Sequence, residues 1–378
     1  MKVLHIIVDL STGGAEMMLY KLLSSMDRTA FEQEVVSLTD IGEVGEKIRK
    51  LDIPVHALGM RKQMPNPLLV LKLSRWIRRR RPDMIQTWMY HADLVGGLAA
   101  KMSGGVPVVW GIRHTNLDPA YNRRMTLRVA RLCASLSERL PARIVCCSEA
   151  ARLTHEAIGY VPGKITVIPN GFNSQTFKPD PSARLSVRKE LGLAGDVLLI
   201  GLVARFNPQK DHLTFVRAAA LLHERLPEVH FVLCGDGITA ENPELKEWIE
   251  DAGIRRVCHL LGKRTDIPRL TASFDIAASS SCGEGFPNAV GEAMACGIPC
   301  VVTDAGDSAF LVGDTGRVVR PMDSPGLAAA WMEVISLGRD ERFRLGLSAR
   351  RRVEEHFSLP AVAARYETLY ETVASCAA

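Results

Sequence analysis

The sequence predicts an α/β protein of two domains, each built on a parallel sheet with helices on both faces. Three observations predict it. Short apolar runs of strand length alternate with helical stretches along the chain, a pattern that belongs to parallel sheets. The alternation is broken near residue 180, where Pro179 and Pro181 complete a linker, and then starts afresh. The length, 378 residues, suits two domains better than one.

The opening run, Val3 to Val8, is a buried first strand and not a secretion signal: its apolar stretch is short, contains His5, ends at Asp9 and lacks a small-residue cleavage site. No run approaches the length of a spanning helix, so the expected location is the cytoplasm. Ser11-Thr12-Gly13-Gly14-Ala15-Glu16 follows, where Gly13 and Gly14 let backbone approach a ligand closely. It is not a Gly-x-Gly-x-x-Gly fingerprint, and none occurs elsewhere, which argues against a dehydrogenase. A helix from Ala15 to Met26, strands at Glu34–Leu38 and Val55–Leu58, and the punctuating Pro65 and Pro67 come next. A helix from Leu68 ends in Arg78-Arg79-Arg80-Arg81, cations favourably placed against the helix dipole.

Strand Met84–Thr87 leads to His91, and strand Val106–Trp110 leads to Arg113 and His114. All three residues fall just past a strand's C-terminal end, where open α/β sheets bind ligands. Tyr121 to about Arg139 reads as an amphipathic helix. Met125, Val129, Leu132 and Leu136 form one stripe, with Arg124, Arg128 and Arg131 beside it. It reads as a surface helix with solvated arginines; the alternative is a helix lying on a membrane interface. Strand Ile144–Cys147 meets Ser148-Glu149, an N-cap and first turn. Strand Ile165–Ile168 ends in the tight turn Pro169-Asn170-Gly171.

In the second half, strand Val197–Val203 ends in a loop carrying Arg205 and Lys210, two cations at a strand's end that can neutralise a diphosphate. Strands His230–Cys234, Val257–Leu261, Phe274–Ala278 and Cys300–Thr303 follow, with helices between them and helices from Pro325 to the end. Between the last two strands lies Ser281-Cys282-Gly283-Glu284-Gly285-Phe286-Pro287-Asn288, then a short helix from about Pro287 to about Cys296. Strand, glycine turn and helix aim bare amides at an anion. Glu284 stands in the loop and Glu292 in the helix's second turn. Phosphate-binding amides between two hydroxyl-seeking carboxylates suit a sugar nucleotide.

Charge is unevenly spread. Residues 1–180 hold 25 Lys/Arg against 16 Asp/Glu, and residues 181–378 hold 22 against 26. A basic first half points to an anionic partner there, though not to nucleic acid. The nine cysteines include no Cys-x-x-Cys pair and read as reduced core residues. No Asp-x-Asp occurs, so no metal and no cofactor is expected.

The run Glu284-Gly285-Phe286-Pro287-Asn288 through Glu292-Ala293-Met294 and Gly297-Ile298-Pro299 resembles the paired-glutamate motif of family 4 of the retaining GT-B glycosyltransferases. Gly13-Gly14-Ala15-Glu16, Pro169-Asn170-Gly171, Arg205 and Lys210 are similar to other parts of that family's pattern. Asp304-Ala305-Gly306-Asp307-Ser308 departs from it, since many members carry two glycines there. The resemblance implies two Rossmann-like domains facing each other across a cleft. They are an acceptor domain over 1–180 and a nucleotide-sugar domain over 181–358, with a last helix over 359–378 crossing back. It implies a UDP- or GDP-sugar donor, held by Gly13, Gly14, Arg205, Lys210, Glu284, Gly285, Phe286, Pro287, Asn288 and Glu292. A glycan or polyprenyl-linked acceptor would lie near His91, Arg113 and His114. Glu284, His114, Arg205 and Lys210 would carry catalysis, in cell-surface polysaccharide synthesis at or near the inner face of the plasma membrane. The alternatives are a nucleotide-sugar epimerase of the same architecture and a non-catalytic sugar-nucleotide-binding subunit.

Overall fold

A computed structural model describes residues 1–60 and 68–376, so Pro65 and Pro67 lie outside the described residues. The chain divides into two compact units: residues 1–171 with 359–378, and residues 172–358.

Among the described residues, the first unit holds seven strands: Lys2–Ile7 (β1), Glu32–Ser37 (β2), Val55–Ala57 (β3), Met84–Trp88 (β4), Val108–Ile112 (β5), Arg143–Cys146 (β6) and Ile165–Val167 (β7). They pair in parallel in the order β3-β2-β1-β4-β5-β6-β7. Apolar runs such as Val3–Ile7 are buried on both faces, as strands covered by helices on each side must be. The helix Leu359–Ser375 belongs to this unit and sets Val362, Tyr366 and Tyr370 among Val3, Ile7 and Trp88.

The second unit holds Leu199–Val203 (β8), His230–Cys234 (β9), Cys258–Leu260 (β10), Ile276–Ser279 (β11), Cys300–Thr303 (β12) and Gly316–Val319 (β13), ordered β10-β9-β8-β11-β12-β13. Its core gathers Ile200, Phe215, Phe231, Leu233 and Trp331. In each sheet the order reverses beside the unit's first strand, at β1/β4 and at β8/β11. Such switch points open the crevice in which doubly wound sheets bind ligands.

The structure corrects the sequence reading in three places. The units divide between Gly171 and Phe172, not near residue 180, because Phe172 stacks on Phe286 of the second unit and its N–H donates to Phe357 O (2.9 Å). Pro181 opens the helix Pro181–Glu190 and does not complete a linker; Asp180 Oδ1 caps it by accepting from the amides of Ser182 and Ala183. Edge strand β13 went unseen because its four residues are too few and too exposed to show alternation.

Buried histidines set the acid response. Burial lowers His5 to about 3 and lowers His155, His212 and His259 to about 4. Each binds fewer protons folded than unfolded, so its contribution is complete above about pH 6.5 and is lost as pH falls toward 4, at up to about 1.4 kcal/mol per pH unit. Asp93 works against them. Burial raises it to about 7, so its contribution is largest in acid and is lost as pH rises through 7. Melting temperature is expected to fall between pH 6.5 and 4. Thermal melts of Asp93→Asn should show a steeper fall, because the opposing group is gone.

Candidate active site

The second unit's switch point is assembled by loops that lock onto one another. After β8 the chain runs through Ala204 to Lys210, and two contacts with the loop after β9 fix its start. A side chain at Gly235 would collide with Ala204 O, and Phe206 N–H donates to Asp236 O (2.7 Å). A short 3₁₀ turn, Pro208–Lys210, follows, with Asn207 Oδ1 accepting from Gln209 N (3.0 Å). Asp211, in the left-handed region at φ 45°, caps the helix His212–His223 through Thr214 N.

The loop after β11 zips onto this turn. Cys282 N–H donates to Gln209 O and Ser280 Oγ to Lys210 O, both at 2.9 Å. From the other side, Thr303 Oγ1 of β12 donates to Ser281 O (2.5 Å), and Asp307 N–H donates to Gly285 O (3.1 Å). Gly306, at φ 58°, lies so close to Glu284 O that no side chain fits there. The departure at Ala305 is thereby explained: of Ala305 and Gly306, only Gly306 has the left-handed backbone and the close approach that demand glycine, and Ala305 is simply buried.

These loops bring Lys210 and Glu284 together. Glu284 Oε1 accepts from Lys210 Nζ (2.5 Å) and from Ser281 Oγ (2.7 Å). Four residues further, the helix Asn288–Ala295 begins with no side-chain cap from its N-cap residue, and a helix start of this kind favours an anion. Pro287 is the N-cap and not the first helical residue, and it is buried. Gly285, Asn288 and Glu292 are half-buried. Arg205 is exposed just past β8 and has no ion-pair partner among the described residues.

Phe286 is placed differently from the donor-binding role expected of it. Its ring is buried, stacked 6.2 Å from Phe172 and tilted against Phe357 at 5.4 Å. It anchors the loop and presents no ring to a ligand. Gly291 lets the helix backbone rest on the Phe172 ring, which a side chain there would strike. Gly291→Ala is expected to cost about 1–3 kcal/mol and lower the melting temperature by about 5 °C. Differential scanning calorimetry checks this.

In the first unit, Gly13, Gly14, His91, Arg113 and His114 all follow strand ends at β1, β4 and β5. Gly13 is the extended N-cap of the helix Gly14–Ser25. His91 is half-buried in the first turn of the helix Tyr90–Met102, and burial lowers its pKa. Before it, Met89 sits at φ 71°, a costly conformation for a residue with a side chain. His114 Nε2 pairs with Asn122 Oδ1 (3.0 Å).

Arg113 is engaged within the first unit. Its guanidinium donates to Asn170 Oδ1 (3.0 Å) and to the Tyr366 hydroxyl, and it lies 5.1 Å over the Trp88 ring. Those contacts tie the Pro169-Asn170-Gly171 turn and the terminal helix to the end of β5, so Arg113 has a structural task at that position. Sequence reasoning missed Ser281 and Thr303. A hydroxyl one turn of loop before a glutamate carries no signal until the loop's path is known.

Comparison with known proteins agrees with this architecture. Residues 12–176 match the family described as Glycosyltransferase Family 4, and residues 197–336 match Glycosyl transferases group 1. The UDP-Gal:alpha-D-GlcNAc-diphosphoundecaprenol alpha-1,3-galactosyltransferase of Escherichia coli is 28% identical over 246 residues, 64% of this chain and 63% of its own length. The N,N'-diacetylbacillosaminyl-diphospho-undecaprenol alpha-1,3-N-acetylgalactosaminyltransferase of Campylobacter jejuni is 25% identical over 90% of this chain and 92% of its own. The crystal structure of HepE from Anabaena with UDP superposes with a TM-score of 0.85 at 26% identity, covering 98% of this chain and all of that one. Two units of doubly wound order, the glutamate motif at the second switch point and these matches together make the chain a GT-B glycosyltransferase of the family 4 type.

Proposed function

We propose that this glycosyltransferase moves a sugar from a UDP- or GDP-sugar, with retention of configuration, to a glycan or lipid-linked acceptor in cell-surface polysaccharide synthesis. The observation that carries the reading is the meeting of Lys210 and Glu284 beside an uncapped helix N-terminus at the second unit's switch point. Lys210 and Arg205, with the amides of the helix Asn288–Ala295, take the charge that grows on the diphosphate as the glycosidic bond breaks. Positive groups placed there lower the barrier directly. Glu284 binds sugar hydroxyls and Glu292 the ribose hydroxyls. Retention follows a front-face course in which the leaving phosphate accepts the acceptor's proton, and His114 lines the acceptor side. The donor class is supported by HepE, whose structure was also solved with UDP-glucose, and the acceptor class by the diphospho-undecaprenol acceptors in the names of two relatives.

A thermal-shift panel of UDP- and GDP-sugars tests the donor, because a bound donor stabilises the folded state by mass action. Transfer from the selected donor to a polyprenyl-diphosphate sugar then tests the acceptor. Nucleotide release without transfer would favour the epimerase, and binding without turnover the non-catalytic subunit.

The acceptor reading also draws on the helix Arg124–Leu136. Its buried face is Leu127, Ala130, Cys133 and Ala134. Of the stripe read from sequence, Met125 is 53% and Leu132 47% exposed, beside the exposed Arg124, Arg128 and Arg131. An outward apolar seam flanked by arginines suits the interface of an anionic bilayer. No helix among the described residues is long and apolar enough to cross one. Sedimentation with vesicles containing anionic lipid is expected to fall steeply with salt and with the Arg124→Glu/Arg128→Glu/Arg131→Glu triple substitution. Binding indifferent to lipid charge would end this part of the reading.

A further inference from the structure

Two different donors converge on one oxygen of Glu284. Lys210 brings a flexible, partly exposed side chain, and its Nζ can swing. Ser281 brings a short one from a residue only 2% exposed. The serine is fixed on every side. Thr303 Oγ1 holds its carbonyl, the next amide, that of Cys282, is held by Gln209 O, and Ser279 Oγ reaches its hydroxyl from behind (3.4 Å). Its hydroxyl then gives its proton to Glu284 Oε1 at 2.7 Å.

The two donors therefore face different futures when a donor nucleotide arrives. A diphosphate carries more negative charge than one carboxylate and competes for the ammonium group. If Lys210 turns to it, Glu284 loses that ammonium while remaining largely covered. A carboxylate in that position needs a hydrogen bond that does not leave with the cation.

We propose that Ser281 is a positioning residue for Glu284: it keeps Oε1 in place while Lys210 exchanges the carboxylate for the donor diphosphate, so that the other oxygen stays aimed at the sugar. This rests on the reading of Glu284 as the sugar-binding carboxylate. It makes the Lys210–Glu284 pair the resting arrangement and the Ser281–Glu284 bond the working one.

The test uses the full chain with UDP and with UDP-glucose, UDP-galactose and UDP-N-acetylglucosamine, carrying forward the sugar that shifts the wild type furthest. Ser281→Ala is expected to lower kcat/KM for that donor about 10- to 100-fold, while calorimetry finds the Kd for UDP, which has no sugar, within about twofold of wild type. Ser281→Cys, which fills the same space with a poor donor, should lose as much. In a Glu284→Gln background, Ser281→Ala should cost less than about threefold more, since its effect runs through the carboxylate. A loss of UDP binding equal to the loss of activity, a full additive loss in the Glu284→Gln background, or a fully active Ser281→Cys would each overturn the proposal. A wild type that no UDP-sugar stabilises would instead overturn the UDP-sugar donor reading on which it rests.

Discussion

Replacing Lys210 by alanine is expected to lower kcat about 10²- to 10³-fold with a smaller change in KM, and Arg205→Ala to act in the same direction. The asymmetry follows from when the charge appears. A bound diphosphate already carries negative charge, but the bond-breaking step adds more on the bridging oxygen, and a cation held nearby is worth most at that moment. Lys210 is well placed for this because its turn is fastened to the motif loop by Cys282 N–H and Ser280 Oγ, so the backbone that delivers the ammonium does not have to be reorganised. Lys210→Arg keeps the charge and should recover part of the rate. Steady-state kinetics over a range of donor concentrations separates the two constants. An unchanged kcat in both alanine variants would remove these side chains from the leaving-group step.

Arg188→Ala is expected to destabilise the second unit by about 3–5 kcal/mol, the range for stranding one member of a buried ion pair. Arg188 is 1% exposed and its burial lowers the guanidinium to about 10, still charged at neutral pH. It donates to Asp275 Oδ2 (2.6 Å), Val197 O (3.0 Å) and Ser273 O (2.8 Å). Asp275 in turn accepts from Leu199 N (2.9 Å) and from Arg184 Nη1 (2.6 Å). These bonds tie the beginnings of β8 and β11, the two strands whose far ends carry Lys210 and Glu284. Urea unfolding followed by circular dichroism gives the value. A loss below about 1 kcal/mol would mean that Arg184 alone suffices for Asp275.

The strands of both sheets, apart from β13, were legible because buried parallel strands are written as unbroken apolar runs. His230–Cys234 and Cys300–Thr303 have the bounds read from the sequence. The motif helix was legible for the opposite reason: Pro287 and Gly297 punctuate it. What stayed hidden depends on where a side chain ends up after the chain has folded. Arg113 looked like a ligand because it follows a strand end, but Asn170 and Tyr366, 57 and 253 residues away, engage it. Phe286 sits inside a functional motif yet packs on Phe172 and Phe357, since a loop held in one shape needs an apolar anchor as well as polar tips. The stripe on Arg124–Leu136 was read correctly as a periodicity, but periodicity does not say which of two apolar faces turns inward; Leu127 and Cys133 do, and Met125 and Leu132 do not. The helix after Asp180-Pro181 was written in its cap and first position, and the prolines around it masked that signal.

The helix Leu359–Ser375 has a consequence for how the molecule is made. It supplies Tyr366 and Tyr370 to the interior of the first sheet, so that sheet lacks part of its filling until the helix that follows the whole second unit has been made. The second unit is one uninterrupted stretch, and although it is translated later it has all its parts sooner. The half that is born first is therefore the last to have all its parts.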